Sequence, residues 1–329
     1  MRFNRVTLSF FVLLTIVVLP ALVRAQLKKI PIAFSSMAVV QSGIWITKEA
    51  KLFEKYGLSA DLVYVASGTT VSQAMISGEF LAGLVGGAIV TANVSGADFA
   101  IIGGVVNRPN FYLTAHTSIK KPTDLKGKAV GITRYGSSTD FIIRFLLQKW
   151  GMEPDREVKI LQMGGQPEIL AGMKANIVQA GVTGSPTEFM ARKAGFHILQ
   201  DMGKIGVEYP VNSLVTTRSF IKKDPATVKA ILMAYSEGVQ RLFKDRAFSK
   251  SVFSKYMRVN DPEILDSAYD YARNFVERTP TPPYKGLATL LGQLAETNPK
   301  VKNYKPEDFI ESSFYSELER NGFFKSGTH

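Results

Sequence analysis

The residues that could do chemistry are concentrated in the stretch 124–150, which has the pattern of a short strand, a polar turn and an amphipathic helix. Residues 129–132 favour a strand, and residues 137–139 carry hydroxyls of the kind that accept hydrogen bonds at a helix start. A helix start presents unpaired N–H donors and the positive end of the helix dipole, and Arg134 adds a full charge nearby. The turn therefore predicts an anion-binding surface. An ordinary loop whose serines only cap the helix is the alternative.

Strand-like and helix-like segments alternate on both sides of this turn. Strands separated by helices of about ten residues predict an α/β fold with parallel sheets and right-handed crossovers. The predicted strands are 30–34, 62–65, 80–85, 99–102, 112–115, 129–133, 158–162, 177–182, 196–199 and 214–217. The main predicted helices up to residue 200 are 42–56, a helix opened by 67–70 and ending at Gly78, 88–94, 140–150, 167–174 and 186–194.

An internal similarity indicates that the chain has two related halves. Segment 78–87 can be aligned with segment 176–185, and each has the pattern of a helix end, a strand and a glycine turn. Three small-residue matches do not exclude chance, but their equivalent placement in each half predicts two related lobes. The matching pairs are Ala82 with Ala180, Gly83 with Gly181, and Gly86 with Gly184.

Beyond Ser213 the pattern becomes mainly helical. Asp224-Pro225 and Asp261-Pro262 are helix-start signals, because aspartate caps a helix and proline suits its first position. Residues 279–283, which include three prolines, predict an extended linker. We expect this tail to pack back over the first lobe.

The first 25 residues predict a secretory signal peptide, with two early arginines, an apolar run over 8–19 and a compact-residue cleavage site ending at Ala25. An uncleaved anchor is the alternative. The chain of 329 residues has a net charge of +12; removing Arg2, Arg5 and Arg24 leaves 12 − 3 = +9. The basic residues are scattered and form no nucleic-acid motif, so we expect no nucleic-acid partner.

The sequence contains no cysteine, which excludes disulfides, thiolate chemistry and a lipid-accepting cysteine after the leader. The three histidines, His116, His197 and His329, are far apart in the sequence and do not predict a metal site. We expect no metal and no cofactor. A freely diffusing, monomeric periplasmic protein fits these features.

Two segments resemble a known family. Residues 48–79, KEAKLFEKYGLSADLVYVASGTTVSQAMISGE, and residues 124–132, DLKGKAVGI, followed by Gly136-Ser137-Ser138, are similar to substrate-binding proteins of ABC importers. The resemblance is to the group that includes nitrate, sulfonate and taurine binders and binders of thiamine-pyrimidine precursors. It covers roughly residues 30–271.

The resemblance implies the type II periplasmic-binding-protein fold, with two doubly wound α/β lobes, a hinge of two chain crossings and a helical C-terminal tail. We expect lobe 1 to comprise residues 26–114 and 215–329, and lobe 2 residues 115–214. The implied function is to close on a small anionic organic ligand and deliver it to a membrane permease served by a separate ATPase. The alternatives are an aromatic ligand, such as a pyrimidine thiamine precursor, or a sensory role.

In α/β sheets of this kind, ligands bind beyond the carboxyl ends of the strands. Glycines there let a ligand approach backbone N–H groups, and hydroxyls complete the hydrogen bonds. Tyr135, Phe34 and Tyr64 are candidates for stacking on a planar ligand, with core packing favoured for the last two. The predicted ligand-binding residues are Ser35, Ser36, Met37, Ser67, Gly68, Thr69, Gly86, Gly87, Ala88, Arg134, Tyr135, Gly136, Ser137, Ser138, Thr139, Gly184 and Ser185.

An enzyme is the competing function class, because a fungal thiamine-pyrimidine synthase shares the implied fold. Its chemistry needs a sacrificial histidine and a cysteine-rich segment. This chain has no cysteine, and none of the common hydrolase, metalloprotease or phosphate-loop motifs is present. We therefore expect a binding protein with no catalytic residue.

Overall fold

A computed structural model describes residues 26–325, which form ten strands and thirteen α-helices. The predicted signal peptide and His329 lie outside the described residues. The strands are β1 (Lys28–Phe34), β2 (Leu58–Tyr64), β3 (Ala82–Val85), β4 (Phe99–Val106), β5 (Tyr112–Ala115), β6 (Ala129–Ile132), β7 (Lys159–Gln162), β8 (Ala180–Thr183), β9 (His197–Asp201) and β10 (Asn212–Thr217). The helices are α1 (Ser42–Glu49), α2 (Leu52–Lys55), α3 (Gly68–Ile76), α4 (Ala88–Val94), α5 (Ser138–Lys149), α6 (Gln166–Lys174), α7 (Thr187–Lys193), α8 (Arg218–Lys223), α9 (Pro225–Lys244), α10 (Arg246–Met257), α11 (Pro262–Phe275), α12 (Tyr284–Ala295) and α13 (Ser313–Arg320).

The strands form two five-stranded sheets with the same architecture. The first sheet has the order β2-β1-β3-β10-β4 and the second has the order β7-β6-β8-β5-β9. In each sheet the first three strands are parallel, and the fourth runs antiparallel to both of its neighbours. We call the body around the first sheet the first lobe and the body around the second sheet the second lobe. The predicted α/β class with two doubly wound lobes is confirmed.

The two strands that exchange between lobes differ from the sequence-based expectation. Parallel sheets were expected throughout, but β5 and β10 each run antiparallel to both of their neighbours. Each of these strands enters its sheet from the other lobe, through 107–111 or 202–211, and so is not part of a βαβ unit. Strand β5 was expected to complete the first half, yet it pairs in the second sheet. Both crossings therefore lie a few residues earlier in the chain than expected.

The internal similarity corresponds to equivalent strands. β3 and β8 are each the central strand of their sheet. Ala82 and Gly83 pair with β1 on one side and with β10 on the other, and Ala180 and Gly181 pair with β6 and β5 in the same way. The helices α3 and α6 pack on these glycines, where a side-chain carbon would meet a methionine sulfur at 2.9 Å in both lobes.

Local signals placed most helix ends correctly. Asp224 caps α9 by accepting a hydrogen bond from the Thr227 N–H at 3.1 Å, and Asp261 caps α11 in the same manner. The single helix predicted over 42–56 is instead two helices, because Lys51 adopts a left-handed backbone conformation (φ 55°) between α1 and α2. Such a reversal has no strong sequence signal at a lysine.

The helical tail packs over the first lobe, as expected. The apolar face of α9 lies against α1 and α2, and the segment at Ile310 reaches the edge strand β4. Two glycines allow α1 and α9 to approach closely. A side-chain carbon at Gly238 would lie 2.0 Å from Thr47 Oγ1 and 3.0 Å from the Gly43 carbonyl oxygen.

We expect Gly238→Ala to lower the free energy of unfolding by about 1–3 kcal/mol, because the added methyl group forces α1 and α9 apart. Gly292→Ala is the matched control: Gly292 also lies in a helix, but nothing lies within 4 Å of the position of an added carbon. The free energy of unfolding of the control should rise by about 0.5–1 kcal/mol, from helix propensity alone. Urea denaturation measures both values. A Gly238→Ala variant with the same free energy of unfolding as the wild type would contradict this packing of α1 against α9.

Across residues 26–325, no helix combines the length and the apolar content needed to cross a bilayer.

Candidate functional site

A cavity of about 60 Å³ lies between the two lobes, where loops that follow the strands of both sheets converge. We call it the cleft cavity. Its lining includes the first residues of four helices: Gly68 of α3, Ala88 of α4, Ser138 of α5 and Gln166 of α6. The remaining lining residues are Ser35, Ser36, Ser67, Gly86, Phe111, Thr133, Ser137, Thr139 and Val211.

Three hydroxyls at the start of α5 form a closed hydrogen-bonded group on the second-lobe wall. The Oγ1 of Thr133 lies 3.0 Å from Ser137 Oγ and 2.9 Å from Thr139 Oγ1, and the last two oxygens are 2.8 Å apart. All three side chains are buried. Ser137 also caps α5 by accepting from the Asp140 N–H. A hydroxyl can rotate, so this group can direct an O–H donor toward a bound ligand.

On the first-lobe wall, Gln41 fixes the two serines that follow β1. Its Nε2 donates to Ser35 Oγ at 3.0 Å and lies 3.4 Å from Ser36 Oγ. Because the oxygen of Ser35 accepts this hydrogen bond, its own hydrogen is available to donate into the cavity. Gln41 is 2% exposed, so the arrangement is held within the protein interior.

The electrostatic character of the cleft cavity comes from helix ends. Within residues 26–325, none of the side chains that line it is charged. The N-termini of α3, α4, α5 and α6 bring unpaired N–H donors and positive dipole ends, and the serine and threonine hydroxyls add neutral donors. Such a site stabilises a small anion without a counter-charge.

The lobes contact each other directly around the cavity. Thr69 Oγ1 donates to the Tyr135 carbonyl at 3.1 Å, and the Val39 N–H donates to the Ser185 carbonyl at 3.1 Å. Ser138 Oγ donates to the carbonyl of Val211 at 3.1 Å. These contacts join the walls of the cleft, so the structure represents a closed arrangement.

Nine of the predicted ligand-binding residues line the cleft cavity, and Arg134 is not among them. Thr133 and Arg134 are consecutive residues in the bend that leads from β6 toward α5. Thr133 is buried against the cavity, whereas Arg134 is exposed. The guanidinium that was expected to receive the anion therefore lies outside this cavity.

Tyr135 also points away from the ligand space. Its side chain is 45% exposed, and its hydroxyl donates to the carbonyl of Ile160 at 2.8 Å. Phe34 packs in the core against Trp45 and Tyr64, with ring centroids 5.8 and 5.7 Å away. The expectation of core packing is confirmed for Phe34.

The other predicted residues outside the cleft cavity make structural contacts nearby. Met37 packs against the core, and Thr69 and Ser185 make the inter-lobe hydrogen bonds given above. The Gly184 N–H donates to Gln166 Oε1 at 3.0 Å. Gly87 and Gly136 line a different cavity, on the other side of the contact between Gly86 and Ser138.

Four lining residues were missed from the sequence. Thr133 ends the predicted strand before the polar turn, and Gln166 precedes the predicted helix start at Pro167, so both carried a usable signal. Phe111 and Val211 lie in the two crossings between lobes. Their positions depend on how the sheets pair, and no local pattern reveals them.

Comparison with known proteins gives the family. The family model described as NMT1/THI5 like matches residues 40–247, more than half of the chain. The nitrate/nitrite binding protein NrtA of Nostoc sp. is 29% identical over 159 residues. That match covers 46% of this chain and 35% of NrtA, so the chain spans about a third of the length of this relative.

Two solved structures share the fold. The periplasmic nitrate-binding protein NrtA from Synechocystis superposes with a TM-score of 0.75 at 16% identity, covering 90% of this chain and 89% of that one. The alkanesulfonate-binding protein SsuA from Xanthomonas axonopodis pv. citri, bound to MOPS, superposes with a TM-score of 0.72 at 18% identity, covering 83% and 94%. With two matching sheets, two chain crossings and a matching family model, this chain belongs to the NMT1/THI5-like family on the periplasmic-binding-protein fold.

Proposed function

We propose that this chain is the periplasmic solute-binding protein of an ABC importer and that it binds a small oxyanion in the cleft cavity. The observation that carries the proposal is the convergence of four helix N-termini and several hydroxyls on a cavity whose lining, among residues 26–325, has no charged side chain. The printed names of the relatives, which include nitrate-binding and alkanesulfonate-binding proteins, support an oxyanion.

The binding mechanism is closure of the two lobes. Residues 26–106 with 212–325, and residues 112–201, move as two bodies about the crossings 107–111 and 202–211. An anion that contacts Ser35 on one lobe and the α5 hydroxyls on the other binds the closed arrangement more tightly than the open one, and so shifts the population toward it. No side chain changes covalently, and the protein has no catalytic residue.

The closed, loaded protein then docks on a membrane permease, while a separate ATPase supplies the energy for import. Proteoliposomes that contain an ABC permease and its ATPase from the same organism provide the test. Addition of the loaded protein should stimulate ATP hydrolysis. Stimulation of a receptor kinase instead would favour a sensory role.

Ligand identity is tested first by native mass spectrometry of protein purified without refolding, and then by calorimetric titration. Nitrate and methanesulfonate represent the oxyanion class, and an aminopyrimidine represents the alternative aromatic class. The cavity of about 60 Å³ favours an anion of a few non-hydrogen atoms. Tight binding of the aminopyrimidine alone would overturn the oxyanion proposal.

Two hydroxyl variants and one charge variant separate the contributions to binding. We expect Ser35→Ala and Ser137→Ala to weaken binding of the identified anion roughly tenfold each, because each loses one donor to a charged ligand. Ser137→Ala should also lower the free energy of unfolding by about 1 kcal/mol through loss of the helix cap.

Arg134→Ala is the control, and its affinity should stay within about twofold of the wild type because the guanidinium is exposed and outside the cavity. Calorimetry at two salt concentrations checks all three variants. If Arg134→Ala lowers the affinity for the anion as much as Ser137→Ala does, the description of the site as uncharged is wrong.

A further inference from the structure

Helix α7 of the second lobe lies at the contact between the two lobes. Just before α7, the Ser185 carbonyl accepts the inter-lobe hydrogen bond from the Val39 N–H at 3.1 Å. At the end of the helix, Lys193 forms ion pairs with Asp261 at 2.8 Å and with Glu263 at 3.2 Å. Both carboxylates belong to the start of α11, on the first-lobe side. One side of α7 therefore faces the first lobe in the closed arrangement.

Glu188, in the first turn of α7, is a buried carboxyl group at this contact. Its side chain belongs to a residue that is 5% exposed, and among residues 26–325 its Oε2 accepts no hydrogen bond. An ionised carboxylate in such a place loses the hydrogen bonds that water would give it. Burial of this kind favours the neutral acid over the carboxylate.

The first-lobe side contributes Tyr271 of α11 to the surroundings of Glu188. The Tyr271 ring lies 6.1 Å from the ring of Tyr112 between centroids, and its hydroxyl lies 4.0 Å from the position of a side-chain carbon at Gly184. Burial, Tyr112 and the charge of Glu188 raise the pKa of Tyr271 well above its ordinary value, so the phenol and the carboxyl are neighbours. Because α11 packs against the first-lobe turn 39–41, Tyr271 moves away from Glu188 when the lobes part.

The other titratable groups around Glu188 do not pair with its charge. Arg192, one turn later on α7, is exposed, so solvent screens its charge. Tyr112 of β5 is uncharged at neutral pH, because burial and the charges of Asp201 and Glu188 raise its pKa to about 12. Asp201 of β9 lies near the same two tyrosines and has the same sign as Glu188. On α6, which also packs against α7, the charge of Glu168 acts on a tyrosine of the first lobe instead.

The closed arrangement and a bound anion act on Glu188 in the same direction. Burial raises the pKa of Glu188 above its ordinary value, although the Phe189 N–H and Arg192 oppose the shift. When the lobes part, water reaches the carboxyl and the effect of burial decreases. The Gly184 carbonyl accepts from the Glu188 N–H at 3.1 Å, and the Gly184 N–H donates to Gln166 of the cleft-cavity lining. An anion in the cleft cavity is therefore close enough to disfavour a second negative charge at Glu188.

We propose that closure of the lobes takes up a proton at Glu188, so that the protein binds a proton together with its anion. The proton passes from solvent to a carboxylate oxygen while the cleft is open, and it returns to solvent when the cleft opens again. The pairing with an anion rests on the function proposed above, whereas proton uptake on closure does not. By linkage, the proton and the anion each raise the affinity for the other by the same factor.

Calorimetric titration in buffers of different ionisation enthalpy counts the protons taken up with nitrate or methanesulfonate, whichever the wild type binds. Both are anions of strong acids, so neither titrates between pH 5 and pH 8. In this range we expect a maximum uptake of roughly 0.3–1 proton per anion. The affinity for the anion should rise roughly threefold or more from pH 8 to pH 5, because the closed form binds the proton more tightly. Anion binding without proton uptake overturns the proposal.

Glu188→Gln tests the assignment, because glutamine imitates the protonated carboxyl. This variant should take up no proton with the anion, and at pH 8 it should bind the anion roughly threefold or more tightly than the wild type does. Glu263→Gln is the matched control at the same contact, since the Glu263 side chain is 71% exposed, and it should keep the wild-type uptake. Thermal unfolding checks that both variants fold. Proton uptake that persists in folded Glu188→Gln, or an unchanged affinity at pH 8, overturns the role of Glu188.

Closure without an anion is tested in the double variant Lys193→Cys/Asp261→Cys. The chain has no other cysteine, so a short bismaleimide can bridge the two lobes at this ion pair. Carbon-13 NMR of the glutamate carboxyl groups measures the pKa of Glu188, whose signal is the one that Glu188→Gln removes. We expect this pKa to be higher after bridging than before, and equal values overturn the proposal. If neither anion binds but bridging raises the pKa, the proposed function fails and proton uptake on closure stands.

Discussion

Ala88→Leu is expected to weaken binding of the identified anion at least 100-fold, equivalent to about 2.7 kcal/mol. Ala88 is 7% exposed and lines the cleft cavity at the start of α4. A leucine adds three carbon atoms to a space of about 60 Å³, which leaves no room for the ligand. The added side chain can be accommodated when the lobes move apart, so the cost falls on closure and binding rather than on folding.

Calorimetric titration measures the affinity of Ala88→Leu, and urea denaturation without ligand measures its stability. We expect the free energy of unfolding to stay within about 0.5 kcal/mol of the wild type. Ala226→Leu provides the matched control, because Ala226 is an exposed residue near the start of α9 and lies away from the cavity. Binding by Ala88→Leu within threefold of the wild type would show that the anion binds elsewhere.

Arg144→Met is expected to lower the free energy of unfolding at pH 7 by about 2–3 kcal/mol, because it leaves a buried carboxylate without its counter-charge. Asp140 is 7% exposed; it accepts from Arg144 Nε at 2.7 Å and from the Gly136 N–H at 2.8 Å. Burial raises the pKa of Asp140 above its ordinary value, although these two partners oppose the shift. Removing Arg144 takes away one of the two opposing contributions and raises the pKa further.

The pH dependence follows from the sign of this shift. The pKa of Asp140 is higher in the folded than in the unfolded protein, so the folded state binds the proton more tightly. The contribution of Asp140 to the free energy of unfolding therefore increases as the pH falls from neutral through the folded-state pKa, and it stops increasing below the unfolded-state pKa. The increase should be larger in Arg144→Met than in the wild type, and denaturation at pH 7 and pH 5 measures it.

Two further variants test the cause of the Arg144→Met effect. Adding Asp140→Asn to Arg144→Met should restore most of the lost stability at pH 7, because the buried charge is then absent. Arg156→Met removes an arginine from an exposed pair with Glu153 and should have little effect. If the double variant is no more stable than Arg144→Met, the loss has another origin than the charge of Asp140.

Residues of the cleft cavity could be predicted from the sequence where a polar or glycine residue follows a recognisable strand. Ser35, Ser67, Gly86 and Ser137 each follow a recognisable strand, and the carboxyl ends of parallel strands meet at one edge. Arg134 shows the limit of this reasoning. Its charge made it attractive as an anion ligand, but the bend after β6 buries Thr133 and leaves Arg134 exposed, and the sequence carries no signal for the direction of that bend.

The features that could not be predicted depend on contacts between distant segments. Phe111 and Val211 reach the cleft cavity because β5 and β10 each enter the sheet of the other half. A second cavity, of about 290 Å³, lies between α5 and α12, which are more than 130 residues apart in the sequence. No composition or periodicity in either segment indicates that they face each other.

The exchange of β5 and β10 also sets the order in which the halves can be completed during synthesis. A nascent chain that has emerged as far as β9 already contains every strand of the second sheet. The first sheet still lacks β10, which fills the inner position between β3 and β4. The first sheet therefore begins earlier in the chain but is completed later than the second. Until β10 has been translated, the first sheet consists of two unconnected parts, β2-β1-β3 and β4.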